Sequence, residues 1–308
     1  MMDGILVIDK PEGFTSFDVV AVMRRVLGEK KIGHTGTLDP MATGVLPLLL
    51  GRAAKAAELL EDSRKEYQAE FRLGERTDTG DRTGRVIDKC DKTVSKDQLK
   101  AVLPLFWGEI FQVPPMYSAV QKDGKRLYEL ARQGIEVHRD ARPVTIYRLE
   151  LIEYQEKTGI GRVDVSCSKG TYIRTLCEDI AAAAGTLATM TSLRRTRACG
   201  FTLQDALPLE TARQKNAGEL ASFIKPIDSL FSGRPAVTVS PAQQIRFCNG
   251  GALDLKRTGI PDELKKDGVR LRVYGPEGAF LGMGTVDSHK GELKILKLFH
   301  LLEGRECL

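Results

Sequence analysis

The order in which strand-like and helix-like segments follow one another is the feature that most limits the fold of this chain. Residues 4–13 (GILVIDKPEG) have the pattern of a short buried strand ending at a Pro/Gly turn, and residues 16–28 have helical periodicity beginning at Ser16. Further on, two strand-like segments, IYRLELIEYQ (146–155) and GRVDVSCSKG (161–170), follow each other directly. Strands and helices thus mix without regular βαβ alternation. This order predicts an α+β fold with a central, largely antiparallel mixed sheet flanked by helices.

Three further segments have helical patterns. Residues 51–63 (GRAAKAAELLEDS) predict an amphipathic helix, residues 95–110 (SKDQLKAVLPLFWGEI) a second helix, and residues 171–185 (TYIRTLCEDIAAAAG) a third that a glycine closes. We expect these helices to flank the sheet.

The residue pattern of the sequence changes near residues 231–235 (FSGRP). Beyond this point, short strand-like segments are separated by Gly/Pro/Asp turns at close spacing, which is typical of a small β-barrel. We therefore expect two domains, residues 1–232 and residues 233–308. Within the first domain, the polar and basic segment 117–147 is expected to project from the body as an insertion.

Charge is distributed unevenly along the 308 residues. The formal net charge is only +5, which permits a polyanionic partner without requiring one. Basic residues concentrate in four segments, at 23–31, 120–133, 137–148 and 192–200. Any one of these is typical of a solvated surface, but the four together favour a surface that follows nucleic-acid phosphates.

Several chemistries lack their patterns in this sequence. The six cysteines form no CxxC pair and the four histidines form no ligand-like cluster, so we expect no metal site. The P-loop, HExxH and GxSxG motifs are absent, and DRTG (81–84) does not make a nucleotide switch without a P-loop, so we expect no cofactor. The N-terminal residues lack a signal-peptide pattern, and no apolar run is long enough to cross a bilayer. We expect a cytoplasmic protein that does not enter membranes.

The glycine-rich loop GHTGTLDPMATGVLPLLLG (33–51) contains one acidic residue, Asp39. An Asp before proline is often structural, because Asp caps turns and the residue before proline is held extended. The alternative is catalytic, since a carboxylate is ionised at neutral pH and becomes a nucleophile when it is desolvated and positioned. Without a metal cluster, the cation that such an anion needs must be Arg or Lys. His34, in the same loop, is the one histidine that this argument singles out.

These segments resemble a known family. The Asp39 loop resembles the catalytic motif of the TruB family of tRNA pseudouridine synthases. Four other segments resemble further motifs of that family, in the family's order across residues 4–201: LVIDKPEGFTSFDVV (6–20), SRKEYQAEFRLGERTDTGD (63–81), SCSKGTYIRTLCEDIA (166–181) and TSLRRTRACGF (191–201). The C-terminal region is similar to a PUA domain.

The resemblance implies isomerisation of uridine to pseudouridine in tRNA. In this reaction the N1–C1′ bond breaks, the uracil turns, and C5 joins C1′. By the resemblance Asp39 is the essential carboxylate, and three routes stay open for it: attack at C1′, attack at C6, or deprotonation at C2′. The target base must be flipped out of a folded RNA at a cost of a few kcal/mol. Tyr67 matches the family tyrosine that stacks on the flipped uracil.

Four further positions are candidate substrate-binding residues. Arg174 matches the residue that pairs with the catalytic Asp. Tyr172 and Arg174 would share one face if SKGTYIR is extended, and both would then point into the cleft. His34 resembles the residue that fills the gap left by the flipped base, and Leu193 resembles an apolar wall of the pocket. By spacing alone, Arg174 would be a surface ion pair and Leu193 a core leucine.

The partner implied by the resemblance is the T arm stem-loop of tRNA. The insertion 117–147 resembles the segment with which bacterial members clamp that arm. This favours a stand-alone, monomeric enzyme that acts on uridine 55 of the TΨC loop without an obligatory protein partner. Two alternatives stay open. One is a guide-RNA-dependent synthase of the same superfamily, whose members lack this clamp, and the other is a non-catalytic tRNA-folding chaperone.

Overall fold

The computed structural model describes residues 2–60, 64–122 and 124–300, and its elements are labelled in chain order. Up to residue 208 the strands are β1 (Gly4–Lys10), β2 (Ile32–His34), β3 (Thr43–Leu50), β4 (Lys65–Leu73), β5 (Glu75–Thr77), β6 (Val86–Lys89), β7 (Gly108–Gln112), β8 (Gln121–Lys122), β9 (Lys125–Arg126), β10 (Arg142–Gln155), β11 (Ile160–Cys167), β12 (Ala188–Ala198), β13 (Phe201–Thr202) and β14 (Leu207–Pro208). The C-terminal strands are β15 (Ala236–Thr238), β16 (Leu253–Asp254), β17 (Arg270–Tyr274), β18 (Phe280–Asp287) and β19 (Glu292–Leu298).

The helices lie between these strands. The α-helices are α1 (Ser16–Leu27), α2 (Lys96–Val102), α3 (Leu127–Arg132), α4 (Ile173–Ala183), α5 (Leu209–Arg213), α6 (Ala217–Ala221) and α7 (Pro241–Cys248). The 3₁₀ helices are Gly51–Leu59, Leu103–Phe106, Leu203–Asp205, Ile227–Phe231, Leu255–Arg257 and Asp262–Leu264.

The main sheet has the order β14-β1-β3-β12-β4-β11-β10-β7, with β2 paired to β3 and β13 paired to β12. Its neighbours are antiparallel except β1 with β14 and β3 with β12. The predicted α+β fold with a largely antiparallel mixed sheet is confirmed. The parallel pair matters for function, because it sets Arg195 of β12 beside Gly44, just after the Asp39 loop. Gly44 has a positive φ of 106°, and a Cβ there would collide with the Arg195 backbone, so only glycine suits this contact.

Alternation along the strands decides which face of this sheet is buried. On β4, Tyr67, Ala69 and Phe71 are buried, and the residues between them are exposed or half-buried. The buried face shares one apolar cluster with side chains of α2 and α4. The opposite face carries ion pairs such as Arg162 with Glu70, at 3.6 Å.

The C-terminal strands form a second sheet in the order β15-β17-β18-β19-β16. It curls into half a barrel, which is consistent with the small PUA-like β-barrel that the short strands predict. Phe299 of this unit packs against Phe231 and Ala56. Lys297 of β19 also pairs with Glu58, at 2.7 Å. The C-terminal sheet therefore rests on the first part of the chain through an apolar contact and an ion pair.

The amphipathic helix predicted over 51–63 is wound differently in the structure. Gly51–Leu59 is a 3₁₀ helix, and residues 61–63 of the prediction lie outside the described residues. Ala53 and Ala56, three positions apart, are both fully buried. Residues i and i+3 eclipse in a 3₁₀ helix, so this spacing suits the tighter winding.

The helix predicted over 95–110 is shorter than expected. It is α-helical only to Val102, continues as a 3₁₀ turn to Phe106, and gives way to β7 at Gly108. Pro104 lacks the amide hydrogen that a continued α-helix would need at this point.

The basic segment 117–147 contains the hairpin β8–β9, helix α3 and the start of β10. β10 begins at Arg142 and pairs with β7 in the main sheet. Among the described residues, the part of this segment outside the main sheet therefore ends at residue 141.

Candidate active site

The Asp39 loop connects β2 to β3 and is fastened on both sides of the aspartate. The hydroxyl of Ser16, at the start of α1, donates to the Leu38 carbonyl at 3.3 Å and accepts from the Leu38 amide at 2.8 Å. The ammonium of Lys10 donates to the Pro40 carbonyl at 3.2 Å. Because both neighbours are held, the backbone of Asp39 has a defined position before any ligand binds.

Lys10 ends β1 and is fully buried under this loop. Besides Pro40, its ammonium donates to the carbonyls of Pro11 at 2.9 Å and Phe14 at 2.6 Å. Burial lowers the pKa of Lys10 to about 8, against the opposing attraction of the Asp39 carboxylate. At neutral pH the side chain is therefore mainly charged, with three carbonyl acceptors for its three hydrogens.

Arg174, in the first turn of α4, brings Asp39 and Asp81 together. Its Nε lies 3.0 Å from Asp39 Oδ2 and 3.8 Å from Asp81 Oδ2. Its Nη1 and Nη2 donate to the carbonyls of Thr79 and Tyr117, both at 2.7 Å. The side chain of Arg174 is 5% exposed and that of Asp39 is 35% exposed, so Asp39 is the more accessible member of the pair.

Asp81 is a residue that the sequence analysis misses. Its Oδ1 accepts hydrogen bonds from the Thr79 hydroxyl at 2.9 Å and from the Thr83 hydroxyl and amide at 2.6 and 3.0 Å. These bonds aim the other carboxylate oxygen at Arg174. The signal in the sequence is the Thr/Asp/Gly-rich stretch around DRTG, whose side chains hydrogen-bond nearby backbone in turns.

The electrostatic environment makes Asp39 harder to ionise than a solvated aspartate. Burial raises the pKa of Asp39 and the Asp81 carboxylate adds to the rise, while the Arg174 guanidinium opposes both. Once ionised, a carboxylate with a raised pKa is a stronger base than a solvated one. The loop therefore presents an aspartate that suits proton transfer or nucleophilic attack.

Tyr67 and Leu193 lie on the buried face of the sheet, next to the loop. Tyr67 of β4 is opposite Arg195, and Leu193 of β12 is opposite Ala69. The two side chains are 7% and 8% exposed and share an apolar cluster with Leu38. The structure thus brings both of these predicted substrate-binding residues to one apolar wall beside Asp39.

Arg195 is a second residue that the sequence analysis misses. Its Nε donates to the Val45 carbonyl at 2.7 Å, Nη2 to Gly36 at 3.1 Å and Nη1 to Thr37 at 3.4 Å. The side chain is fully buried, so the prediction that segment 192–200 follows phosphates is wrong for this residue. Arg195 instead ties β12 to the Asp39 loop.

His34 ends β2, at the start of the same loop. The Gly36 amide donates to His34 Nδ1 at 3.3 Å. Burial lowers the pKa of His34, and the nearby cations Arg195 and Lys65 lower it further. The ring is therefore neutral at neutral pH, with its Nδ1 in use as an acceptor.

Tyr172 does not share a strand face with Arg174, so that prediction is wrong. Helix α4 begins at Ile173, and Tyr172 is its extended N-cap residue. The segment is helical because its buried residues recur at helical spacing, at Ile173, Leu176, Cys177 and Ile180.

Gln112, on the edge strand β7, holds the backbone of Tyr172. Its side-chain oxygen accepts from the Tyr172 amide at 3.0 Å, and its side-chain nitrogen donates to the Tyr172 carbonyl at 3.3 Å. Gln112 is only 2% exposed. It therefore anchors the turn that leads into α4 and Arg174.

Two observations limit other kinds of site. Within residues 2–60, 64–122 and 124–300, no three His, Cys, Asp or Glu side chains lie close enough together to hold a metal ion. In that same part of the chain, no helix has both the length and the apolar character that crossing a membrane requires.

Three family models match the sequence. Residues 24–173 match the N-terminal domain of TruB family pseudouridylate synthase. Residues 174–232 match the tRNA pseudouridylate synthase B C-terminal domain, and residues 235–294 match the C-terminal domain of pseudouridine synthase II TruB.

Curated relatives match over nearly their full length. The chain is 42% identical to tRNA pseudouridine synthase B of Clostridium kluyveri over 97% of this chain and 100% of that protein. It is 44% identical to tRNA pseudouridine synthase B of Burkholderia mallei over 92% of both chains.

Two solved structures share the fold of this chain over most of its length. A chain in the crystal structure of a Cbf5-Nop10-Gar1 complex is 26% identical, covers 97% of this chain and 85% of that one, and has a TM-score of 0.75. A chain of the archaeal box H/ACA sRNP Nop10-Cbf5 complex is 24% identical over 97% and 86% of the chains, with a TM-score of 0.72, and shares the fold.

Proposed function

Because the chain belongs to the TruB family of pseudouridine synthases, we propose that it isomerises uridine 55 in the TΨC loop of tRNA as a stand-alone enzyme. Membership of this family makes it an isomerase that converts uridine to pseudouridine. The observation that carries the proposal is the contact between Arg174 Nε and Asp39 Oδ2 at 3.0 Å. It supplies a positioned carboxylate and a counter-charge, which a cofactor-free reaction of this kind requires.

Asp39 is the proposed catalytic residue. Attack at C1′, attack at C6 and deprotonation at C2′ all begin with an ionised carboxylate, and Arg174 stabilises that form. The reaction breaks the N1–C1′ bond, forms the C5–C1′ bond and releases the C5 hydrogen as a proton, while N1 takes up a proton, so it is a redox-neutral isomerisation. Asp81 acts through Arg174, which it helps to orient.

The apolar wall beside Asp39 is the proposed place of the flipped uracil. Stacking on an aromatic ring is worth about 1–3 kcal/mol per base, which offsets much of the flipping cost. Tyr67 is the proposed stacking partner and Leu193 the neighbouring wall. Because Tyr67 is only 7% exposed, some of the groups that cover its side chain must move before the base can stack on the ring. His34, neutral and at the loop entrance, is proposed to fill the gap that the base leaves, and Tyr172 lines the cleft.

The rest of the chain is proposed to bind the T arm of tRNA. Residues 1–232 would form the catalytic domain and 233–308 the PUA-like RNA-binding domain, a division supported by family-model matches that end at residue 232 and resume at 235. The basic segment 117–147 would clamp the stem through phosphates and shape. We further propose that the enzyme works as a cytoplasmic monomer.

Two alternatives differ in how the RNA is used. A guide-dependent synthase would resemble the Cbf5 complexes, but identity there is 26%, against 42–44% to relatives named tRNA pseudouridine synthase B. A tRNA-folding chaperone would not need an ionised Asp39 beside Arg174.

The decisive experiment follows tritium release from a tRNA transcript that carries C5-tritiated uridine, without added protein or guide RNA. We expect the wild type to release one uridine equivalent of tritium, because the C5–C1′ bond expels that hydrogen. Asp39→Asn should release at least about 1000-fold more slowly while binding tRNA within a few-fold of wild type.

Asp88→Asn is the matched control, since Asp88 lies on β6 and its side chain is 52% exposed. It should behave as wild type. No release by the wild type would contradict the stand-alone enzyme, and equal release by Asp39→Asn would remove Asp39 from the reaction.

A further inference from the structure

Lys65 is a cation of the site to which the family resemblance assigns no role. It is the first residue of β4, two positions before Tyr67, and it is half-buried. Residues i and i+2 of a strand lie on the same face, about 7 Å apart. Its ammonium faces the Asp39 loop, since a Cβ built on Gly36 would lie 2.8 Å from Lys65 Nζ and 3.8 Å from Arg195 Nη1.

The charges around Lys65 are unbalanced. In the described part of the chain, the ionisable groups that most affect the pKa of Lys65 are the cations Arg195 and Lys169 and the thiols of Cys199 and Cys167, without a carboxylate among them. Burial lowers the pKa of Lys65, and Arg195 lowers it further. Within the same residues we find no hydrogen bond or ion pair from its ammonium.

The neighbouring cations, unlike Lys65, have hydrogen-bond acceptors. Arg195 already donates to three backbone carbonyls, and Lys10 to three others. A charge that is removed from water is normally paired, because its desolvation costs free energy that only a partner offsets. Lys65 therefore has unused donors in a region that attracts an anion.

We propose that Lys65 binds a backbone phosphate of the RNA, one of the two that flank the flipped uridine. This inference rests on the proposed function, which puts the uracil on Tyr67. A nucleotide whose base stacks on Tyr67 has its own phosphates within reach of Lys65, which lies one strand repeat from Tyr67. Lys169, exposed in the loop after β11, adds a second positive charge on that path.

A double-substitution cycle tests this contact. Affinity for a T arm stem-loop RNA is measured for wild type and Lys65→Met, each with unmodified RNA and with a single methylphosphonate on the 5′ or the 3′ side of the target uridine. We expect Lys65→Met to bind unmodified RNA about 10-fold or more weakly and to lower the slope of log K against log salt by about 0.7, the value for one phosphate on a single strand. At one of the two positions, the methylphosphonate should weaken RNA binding by Lys65→Met almost no further. The proposal would be overturned if the affinity losses from Lys65→Met and from the methylphosphonate multiply at both positions.

Two further variants separate charge from structure. Arg162→Met is the matched control, because Arg162 is on the adjacent strand β11, pairs with Glu70 at 3.6 Å on the opposite face of the sheet and is 47% exposed. It should leave affinity within about two-fold and leave the methylphosphonate effect unchanged. Lys65→Arg should keep most of the affinity.

Stability gives an independent readout. Because burial disfavours the charged form of Lys65 and Arg195 repels it, Lys65→Met should melt at the same temperature as wild type or higher. A purely structural lysine would lower the melting temperature on substitution and would leave the cycle additive.

The outcome is distinguishable from failure of the proposed function. If the wild type releases tritium from unmodified tRNA but the cycle is additive, only the phosphate contact is wrong. If the wild type releases none, the uridine reaction itself is wrong, whatever the cycle gives.

Discussion

Lys10, Arg174 and Arg195 are at most 4% exposed, yet each carries a charge next to the Asp39 loop. All three donate to backbone carbonyls, and Arg174 also contacts Asp39. Burying a charge is tolerable only when its hydrogen bonds are made, so these contacts hold both cation and loop in place. At the residue scale, then, the same bonds that permit the buried charges also position the carboxylate.

The pKa of Lys10 predicts an alkaline limit to activity. With a pKa of about 8, the side chain is charged below that pH and neutral above it. A neutral amine has only two hydrogens for three carbonyls, so the loop should loosen as the pH rises. We expect the single-turnover rate of the wild type to fall above about pH 8.

Two variants check the origin of that limit. Lys10→Met should be slower by about 10–100-fold at pH 7, the cost of a misplaced catalytic group, and its rate should show no fall near pH 8. Lys89→Met, on the exposed strand β6, should keep the wild-type profile. An identical alkaline fall in Lys10→Met would assign it to another group.

Asp39 and its loop are recognisable in the sequence, but the surroundings of Asp39 are not. A glycine-rich loop with one acid is a local pattern, and the family resemblance adds Tyr67 and Arg174. Arg195 and Gln112 give no such signal, because a buried arginine or glutamine looks like a surface residue until its strand partners are known. Their positions depend on pairing between strands that are distant in the chain.

At the scale of elements, two neighbouring residues at the start of helix α1 have different roles. The helix begins at Ser16, as the periodicity predicts, and Thr15 is its N-cap and forms a capping box with Asp18. Ser16 is therefore free to bond the Leu38 backbone. Periodicity predicts α1 and β10–β11 well, and it predicts the winding at Gly51–Leu59 poorly, since alanine-rich spacing fits two kinds of helix.

Because Thr15 caps the helix and Ser16 holds the Asp39 loop, substitutions at these two positions should have different effects. Thr15→Ala should lower the free energy of unfolding by about 1 kcal/mol, the usual value of a helix cap, and leave the catalytic rate within two-fold. Ser16→Ala should cost about 1–3 kcal/mol because it leaves buried Leu38 groups unpaired, and it should also slow catalysis. Urea unfolding and single-turnover rates measure the two effects. Equal effects of both variants on the rate would contradict the assignment of Ser16 to the loop.

At the scale of the whole molecule, the C-terminal sheet is attached through an apolar cluster that includes aromatic side chains. Phe231 is 6% exposed and packs near Phe280 and Phe299, with ring centroids 6.4 and 6.1 Å away. The change in residue pattern near residue 232 indicates this boundary in the sequence, but no local pattern indicates which aromatic residues meet across it.

Phe231→Ala should loosen this attachment. Loss of a buried phenylalanine costs about 3–5 kcal/mol, so we expect limited proteolysis to cut near residue 232 in the variant and not in wild type. The rate on an isolated T arm stem-loop should stay within two-fold, while affinity for full-length tRNA should fall. Phe223→Ala, at a site 38% exposed, is the control and should resist proteolysis as wild type does. An uncut Phe231→Ala would show that the aromatic contact is dispensable.

The bonds that hold the Asp39 loop join residues far apart in the chain. The partners are 22 residues apart for Ser16 and Leu38, 30 for Lys10 and Pro40, and 159 for Arg195 and Gly36. Contacts of such long sequence separation form late in folding, because the loops that they close must be ordered first. A chain refolding from denaturant will therefore regain its helical signal before it regains activity. A nascent chain that ends before β12 already contains Asp39, but it has no active site until Arg195 arrives.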